Sequence, residues 1–363
     1  MLVPANSGKR SHTSPYYTIM KILVTGAAGF IGYHVINRLI NDGHSIVGID
    51  NICEPETVQL KLARLSLLGI NPDAIADDVP VRSTLAVLDF VKMDILDRRG
   101  LISLCHEHKF DSIIHLAALV GSSVSVQYPV PFCEVNTIGT LNVLEAARLT
   151  GVKHVFYSSS SVVHGVLSQA PMKEEDHVDT PISTYAASKR SSELLCYTYA
   201  HAYKLPVTIF RLFTVYGSWC RPNAVPMLIA RDIMEGSPIP LINNGHLVRD
   251  FTYVEDVVDG MMFALNSPPS SAQAVPYALY NVGRSTPVPF ISFIQCMESA
   301  LGRSAVIEKT PTDPFTVGEH AELYADTEKL ETDLAYSPVW DYEEAVPLFA
   351  QWFKENYNAT FTI

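Results

Sequence analysis

The sequence lacks the long apolar runs that would place the chain in a membrane. A transmembrane helix needs about eighteen consecutive apolar residues, and no such run is present. The basic residues near the start, Lys9 and Arg10, are followed by no apolar segment, so a secretion signal is not expected either. Cytoplasm is the expected location, with no membrane partner.

Cysteine and basic residues are also scarce. The six cysteines are scattered without a C-x-x-C pair, which favours free buried thiols over disulfides or zinc, and no metal is predicted. The 26 basic residues are outnumbered by 38 acidic ones, which gives a net charge of −12. Because phosphate backbones select basic surfaces, no nucleic-acid partner is expected. An anionic small substrate would need locally placed arginines.

Apolar residues make up 48% of the chain, enough for one large core or two smaller ones. Short apolar runs alternate with segments of helical period, which is typical of an α/β fold with a Rossmann-type doubly wound parallel sheet. The runs end at Thr25, Asp50, Asp94, His115, Ser158 and Arg211.

Three parts are predicted along the chain. Residues 1–19 are polar and are interpreted as a disordered extension or an upstream start, and residues 20–212 as the NAD-binding Rossmann domain. Residues 213–363 are irregular and Pro-rich, and are predicted to form mainly a smaller α/β substrate domain, with some segments returning to the first. Within this part, helices are predicted near 225–235, 257–265, 290–301 and 342–357. The link 51–89 is long, and a helix is predicted within it at 58–68.

A glycine-rich turn marks the expected cofactor site. Gly26, Gly29 and Gly32 follow a predicted strand and open a helix, so the backbone can turn sharply and present amides to a pyrophosphate. Asp50 ends the second strand, where a carboxylate can accept both ribose hydroxyls and repel a 2′-phosphate. NAD is therefore expected rather than NADP. The cofactor-binding residues expected are Gly26, Gly29, Phe30, Ile31, Gly32, Asp50, Asn51, Asp94, Ile95, Leu116, Ala117, Ala118, Tyr185 and Lys189.

The assignment of Asp94 leaves an alternative open. Asp94 and Ile95 end the third strand, where such folds flank adenine, but an aspartate there could equally cap the following helix.

Tyr185 and Lys189 lie four residues apart on a predicted helix that runs to about Tyr203, so they share one face. A tyrosine pKa of about 10 is too high for a base near neutrality, and Lys189 and the nicotinamide charge could together lower it. Ser160, which ends the fifth strand, can bond a substrate hydroxyl and help to pass its proton. These three residues are the predicted catalytic group. A bare Y-x-x-x-K spacing would more often be an ordinary amphipathic helix.

The chain from Met20 to about Tyr357 contains several segments with a family likeness. They are Lys21–Gly32, His115–Ala118, Tyr185–Lys189, Phe213–Gly217 with Trp219, Arg221 and Pro222, and Arg249–Tyr253. On these segments the chain resembles the extended short-chain dehydrogenase/reductase family of NAD-dependent nucleotide-sugar epimerases and dehydratases. The last two segments are similar to those of UDP-glucuronate 4-epimerases.

The resemblance implies an isomerase that oxidises C4 of a nucleotide sugar and returns the hydride to the other face. It places Ser160 and Ser161 at the substrate, Arg249 near the diphosphate or ribose, and Thr214 and Arg221 around a carboxylate. Related dehydratases and decarboxylases carry an acidic residue just after the catalytic serine or threonine, whereas Ser161 and Val162 stand here. For Arg221, a surface salt bridge is the alternative.

Several positions depart from the family pattern, and all lie on loops expected to face the substrate. Ser123 stands where the family often has arginine, Val162 where it has serine or threonine, and His164 where it has tyrosine. Ser218 and Cys220 replace a proline and a glycine, and residues 317–320 replace a Pro-Gly-Asp segment. His164 is interpreted as a packed or hydrogen-bonding residue rather than a general base.

Three alternatives to a uronate epimerase remain open. The first is an epimerase of a neutral sugar such as UDP-glucose or UDP-N-acetylglucosamine, and the second is a UDP-glucuronate decarboxylase. The third is a non-catalytic dinucleotide-binding protein. The resemblance also implies a homodimer formed through helices at about 135–150 and 184–203, unless their outer apolar residues face the chain's own core.

Overall fold

The computed structural model describes residues 18–53, 58–165, 168–241, 245–309 and 322–361. Most of the expected extension 1–19 lies outside the described residues. So does the loop 317–320, which departs from the family pattern.

The main sheet has eight strands. They are β1 (Lys21–Thr25), β2 (Ser45–Asp50), β3 (Pro80–Arg82), β4 (Leu88–Lys92), β5 (Ser112–His115), β6 (His154–Ser160), β7 (Val207–Leu212) and β12 (Tyr277–Val282). Their order is β12-β7-β6-β5-β1-β2-β4-β3, and every pair is parallel except the edge pair of β3 and β4. The predicted doubly wound, mostly parallel sheet is therefore confirmed. Two of its strands, β3 and β12, were not among the six predicted runs.

Helices cover both faces of this sheet. The α-helices are α1 (Phe30–Asn41), α2 (Val58–Leu67), α3 (Arg98–His108), α4 (Ser122–Gln127), α5 (Pro129–Phe132), α6 (Thr140–Thr150), α7 (Thr184–Tyr203), α8 (Val225–Glu235), α9 (Val254–Asn266), α10 (Phe290–Leu301), α11 (Glu328–Leu334) and α12 (Tyr342–Phe361). Helices α1, α9 and α11 pack on one face of the sheet. Helices α3, α6 and α7 pack on the other. Buried aliphatic side chains on both faces give the two layers of core that a parallel sheet requires.

A second lobe is built from short strands and the helices α8, α10 and α12. Its strand pairs are β8 (Val215–Tyr216) with β11 (Thr252–Tyr253), β9 (Pro238–Leu241) with β14 (Val306–Lys309), and β10 (Val248–Arg249) with β13 (Val288–Pro289) and β15 (Glu322–Leu323). An aromatic cluster forms its core, in which the rings of Phe251 and Phe293 stack 3.8 Å apart and Tyr216 meets Phe349 edge to face. The observed bounds of α8 and α10 match those predicted, while α9 begins earlier and α12 ends later.

The link 51–89 is ordered where the structure describes it. It contains α2, a 3₁₀ turn at Pro72–Ala74 and the antiparallel edge strand β3. Among the described residues, no helix combines the length and apolar character that a membrane crossing requires.

Two buried histidines, His115 and His154, and the half-buried His34 favour the neutral form. Burial lowers the pKa of His34 and His154 to about 4 and that of His115 to about 3. His154 begins β6, and its Nε2 shares a 3.0 Å hydrogen bond with Thr208 Oγ1. In the unfolded chain a histidine takes up a proton at a pKa of about 6.5. The stability that depends on neutral imidazole is therefore full above that pH and is lost as the pH falls toward 4.

We predict that His154→Gln makes folding less sensitive to acid. Between about pH 7.5 and pH 5.0, the variant should lose less unfolding free energy than the parent chain, by on the order of 2 kcal/mol. Urea unfolding at both pH values measures the difference. His106 is exposed on α3, so His106→Gln serves as the control and should track the parent. Equal acid sensitivity of His154→Gln and the parent would contradict the prediction.

Candidate active site

The candidate site lies at the carboxyl ends of four adjacent strands. In register, Thr25 of β1 pairs with His115 of β5, His115 with Tyr157 of β6, and Ser160 of β6 with Leu212 of β7. The loops that follow these strands carry the Gly26 turn, the 116–118 segment, Ser161 and Thr214. Ligands of open parallel sheets bind in this crevice, so the topology brings the predicted cofactor and substrate segments to one edge.

Close backbone approach explains the glycines of the first loop. Gly26 has a φ of +72°, and a Cβ there would lie 2.8 Å from the backbone nitrogen of Ala117. At Gly32 a Cβ would lie only 2.1 Å from the carbonyl oxygen of Gly26. These positions therefore exclude any larger residue. The loop fits a dinucleotide pyrophosphate, because its backbone and the N-terminus of α1 are open to close approach.

A neutral histidine at the end of β5 holds the same loop through hydrogen bonds. His115 bridges Thr25 Oγ1 at 2.7 Å and Thr140 Oγ1 at 3.0 Å. Thr25 Oγ1 in turn accepts the backbone N–H groups of Leu116 and Ala117, each at 3.2 Å. These bonds hold the 116–118 segment against the Gly26 turn, where both were expected to line the cofactor.

The carboxylate of Asp50 lies beside the glycine loop as expected. It accepts the backbone N–H of Ala28 at 3.2 Å and that of Ile52 at 2.9 Å. It also pairs with the ammonium of Lys61 at 3.1 Å, a contact that the sequence reading missed. Lys61 lies on α2, so the predicted helix within the long link was the available signal. Asp50 can accept ribose hydroxyls here, but it shares its charge with a lysine.

The structure excludes one of the two readings left open for Asp94, the capping of the following helix, while its place beside adenine stays a prediction. Asp94 lies two residues beyond the end of β4, and its carboxylate accepts the side-chain amide of Asn51 at 2.9 Å and the backbone N–H of Leu96 at 2.8 Å. The residue that caps α3 is Asp97, whose Oδ1 accepts the N–H groups of Arg99 and Gly100. Asp94 and Asn51 thus form one polar edge beside the buried Ile95.

Tyr185 and Ser160 are brought together. Tyr185 is buried in the first turn of α7, and burial raises its pKa, while a hydrogen bond from Ser160 and the nearby positive charge of Arg221 lower it. The backbone N–H of Tyr185 is held by Ser125 Oγ at 3.0 Å. The phenol therefore has both a hydroxyl partner and a cation at hand.

Lys189 is buried one turn further along α7. Its ammonium donates to the carbonyl oxygen of Ser158 at 2.8 Å and lies 5.0 Å from the ring centre of Tyr157. Burial lowers its pKa to about 8, although the charge of Glu193 opposes this. The expectation that Lys189 and the nicotinamide charge together lower the pKa of Tyr185 stays a prediction. The Lys189 ammonium donates to the carbonyl oxygen of Ser158, and Arg221 is a second cation that lowers the pKa of Tyr185.

A buried ion pair fixes α7 on the sheet. Glu193 is 1% exposed and accepts two bonds of 3.0 Å from the guanidinium of Arg211 on β7. It also accepts the hydroxyl of Ser159 on β6 at 2.7 Å. The helix that carries Tyr185 and Lys189 is thereby locked to the two strands beside Ser160. The sequence reading missed Glu193, whose only local signal is its position one turn after Lys189.

Asn136 is a second residue that the sequence reading missed. It lies in the π-helical segment Cys133–Gly139, and its side-chain amide bonds both backbone groups of Leu119 and the hydroxyl of Ser188. This arrangement ties the loop after β5 to α7.

The predicted substrate residues fall into two groups. Arg221 is half-buried and close enough to Tyr185 to lower its pKa, and no hydrogen bond or ion pair to its guanidinium is found in the described ranges. Thr214 is half-buried at the carboxyl end of β7. Arg249 lies in β10 of the second lobe and donates to the carbonyl oxygen of Val248 at 2.9 Å. His164 is buried and faces Asp176 at 3.6 Å, in agreement with a packed, partnered histidine.

Comparison with known families gives a match over most of the chain. The model of the NAD dependent epimerase/dehydratase family matches residues 22–283. The cofactor chemistry predicted from the glycine loop therefore agrees with the family description.

Comparison with individual proteins points the same way. The chain is 33% identical over 356 residues to a probable UDP-glucuronate 4-epimerase of Rhizobium meliloti (strain 1021), covering 94% of this chain and 99% of that protein. It is 33% identical to UDP-glucuronate 4-epimerase 3 of Arabidopsis thaliana, covering 93% of this chain and 77% of that protein. Among solved structures, a UDP-glucuronic acid 4-epimerase from Bacillus cereus in complex with UDP-glucuronic acid and NAD aligns with a TM-score of 0.80. That alignment has 30% identity and covers 93% of this chain and all of that one.

We predict that Glu193→Gln destabilises the fold strongly, because it leaves the guanidinium of Arg211 buried beside a neutral amide. The expected loss of unfolding free energy is about 3–5 kcal/mol, measured by urea denaturation. The exposed pair of Lys153 and Asp111 provides the control, and Lys153→Gln should cost about 1 kcal/mol or less. Similar losses in the two variants would refute the structural role given to Glu193.

Proposed function

This chain belongs to the NAD-dependent epimerase/dehydratase family, and from that membership we propose that it is a 4-epimerase that interconverts UDP-glucuronate and UDP-galacturonate. It is an NAD-dependent nucleotide-sugar epimerase, and the proposal concerns which sugar it takes. The relatives at 33% identity carry the uronate name, but the argument for this chain rests on its own residues.

The observation that carries the proposal is the guanidinium of Arg221. It is half-buried, it acts electrostatically on Tyr185, and it makes no ion pair within the described parts of the chain. Partial burial of a guanidinium that has no carboxylate partner costs free energy, unless a bound anion pairs with it. Its planar fork suits the planar carboxylate at C6 of a uronic acid. A neutral sugar offers no such group.

The catalytic roles follow from the geometry of β6 and α7. In the proposed reaction Tyr185 accepts the proton of the C4 hydroxyl, Ser160 relays it through the hydrogen bond that the two share, and Arg221 helps to stabilise the phenolate. Bound NAD supplies the acceptor and donor of the hydride. Lys189 donates to the Ser158 carbonyl oxygen beside the site, and it carries a positive charge at pH values below about 8.

The site must also prevent the oxidised sugar from losing its carboxylate as carbon dioxide. A glucuronate oxidised at C4 is a β-keto acid, and it decarboxylates when the breaking bond overlaps the ketone. We propose that Arg221 and Thr214 hold the carboxylate away from that geometry. The residues after Ser160, Ser161 and Val162, carry no acid or base to assist decarboxylation or dehydration.

The proposed binding residues divide between the cofactor and the sugar nucleotide. The glycine loop, the polar edge of Asp50, Asn51 and Asp94, and the 116–118 segment would hold NAD. Ser160, Ser161, Thr214 and Arg221 would contact the sugar, and Arg249 the diphosphate or its ribose.

Incubation of the NAD-loaded protein with UDP-glucuronate, UDP-glucose and UDP-N-acetylglucosamine tests the proposal, with products separated by chromatography. We expect UDP-galacturonate from the first and a loss of roughly 10²–10⁴-fold in rate for Tyr185→Phe. For Arg221→Met we expect kcat/KM on the acid sugar to fall by about 10- to 150-fold, because a charged hydrogen bond worth about 1.5–3 kcal/mol is lost. We also expect its UDP-pentose by-product to rise.

The control is Arg231→Met, which removes an arginine already paired with Asp232 on α8 and should leave the rate unchanged. A UDP-pentose as the main product of the parent enzyme would favour a decarboxylase. Turnover of the neutral sugars alone would favour a neutral epimerase. Either result overturns the proposal.

We further propose that the protein is a homodimer. Large apolar side chains on the segments from α4 to α7 are exposed by 46–64% rather than packed in the chain's own core. They are Val124, Val126, Tyr128, Val130, Ile138, Leu194 and Tyr197. Several exposed apolar side chains on neighbouring segments favour a protein interface.

Sedimentation analysis tests the dimer. Leu194→Glu places a charge in the centre of this surface and should shift the protein to monomer at micromolar concentration. Leu348 is also exposed but lies on α12 in the second lobe, so Leu348→Glu should leave the sedimentation coefficient unchanged. A parent protein that sediments as a monomer would refute the proposal.

A further inference from the structure

The segment Gly217–Arg221 ends in the arginine proposed to bind the carboxylate, and its backbone is strained. Trp219 has a φ of +63°, which side chains other than glycine seldom adopt. Such a conformation persists only where the surroundings fix it. The residues that fix this segment are therefore of interest for the direction in which Arg221 points.

Arg64 supplies the first of these fixed contacts. It lies on α2 within the long link and is 2% exposed. Its Nε and Nη2 donate to the carbonyl oxygen of Trp219 at 3.1 and 2.6 Å, and its Nη1 donates to the carbonyl oxygen of Ala28 at 2.9 Å. One buried guanidinium thus joins the strained segment to the loop proposed to hold the pyrophosphate.

His34 supplies the second contact. It lies on α1, the helix that follows the glycine loop, and its Nε2 is 2.8 Å from the carbonyl oxygen of Ser218. Because a carbonyl can only accept, Nε2 carries the proton. The neighbouring ring of Tyr33 packs 6.1 Å from that of Trp219. Two consecutive carbonyls of the segment are therefore bonded to side chains of the cofactor domain.

We propose that Arg64 and His34 are positioning residues that aim Arg221, so that they determine the preference of the site for an acidic over a neutral sugar. They do not reach the substrate themselves. Their hydrogen bonds hold the carbonyls of Ser218 and Trp219, and this sets where the chain emerges two residues later at Arg221. The inference rests on the proposed function, and it gives the link 51–89 a role in substrate choice.

The geometry distinguishes this role from general bracing of the fold. Arg64 and His34 bond the carbonyls of Trp219 and Ser218, the two residues just before Cys220 and Arg221. The main cores of the two lobes are formed by other side chains. If the contacts only braced the fold, their loss would weaken the binding of every nucleotide sugar equally. If they aim Arg221, their loss should weaken the binding of the acid sugar alone.

Calorimetry on the NAD-loaded Tyr185→Phe protein tests the inference, because this background binds sugars without turning them over. The measured quantity is the ratio of the Kd for UDP-glucose to the Kd for UDP-glucuronate. We expect Arg64→Met to lower this ratio at least tenfold, with the Kd for UDP-glucose unchanged within about twofold. His34→Leu should lower it severalfold, whereas His34→Gln, which keeps an N–H donor, should restore most of it.

Two controls make the outcome decisive. NAD content and melting temperature, measured for each variant, show whether the Ala28 contact or the fold has been lost. Arg231→Met should keep the parent ratio. A parent ratio near one would overturn both the acidic substrate and this inference. In the other contrary outcome, the parent prefers the acid sugar, and folded, NAD-loaded Arg64→Met and His34→Leu variants keep that preference unchanged. This result would overturn the inference but leave the proposed substrate standing.

Discussion

The buried ion pair between Glu193 and Arg211 is the interaction on which the site depends. It fastens α7 to the central strands through a carboxylate that also receives the hydroxyl of Ser159. Together with the bond from Lys189 to the Ser158 carbonyl, this anchor fixes the phenol of Tyr185 relative to Ser160, since the two groups belong to different elements. Burying the pair costs free energy, but both side chains are hydrogen-bonded, and such satisfied networks can define one arrangement of a core rather than several.

The site adds a second cation, Arg221, to the expected pair of Tyr185 and Lys189. Burial raises the pKa of Tyr185, and Arg221 is the cation that opposes it. Lys189 is itself disfavoured in its charged form and is held by a backbone carbonyl. In the proposed reaction, recognition of the substrate and activation of the base are linked through the guanidinium of Arg221. An arriving carboxylate would partly neutralise the charge that lowers the pKa of the phenol.

Features with a local signal could be predicted from the sequence. The helices α8 and α10 have the predicted bounds because Gly236 and Gly302 adopt a φ of +71° and +72° directly after them. The glycine loop and the doubly wound parallel sheet could also be predicted from local patterns. The contact of His34 with Ser218 could not be predicted, because it joins residues 184 positions apart. The partner of Asp50 and the direction of Lys189 also depend on tertiary packing, for which spacing gives no rule.

The path of the chain between the two lobes limits how the cleft can move. After β7 the chain enters the second lobe, returns through α9 and β12, leaves again for α10, and comes back once more in α11 before α12. Lobes joined by several crossings cannot rotate about a single flexible linker. Any opening has to move all these crossings together, by concerted bending of several hinges or by small sliding shifts of packed helices. A sugar that has to present both faces to one cofactor would then turn between two lobes whose separation is restrained by several connections of the chain.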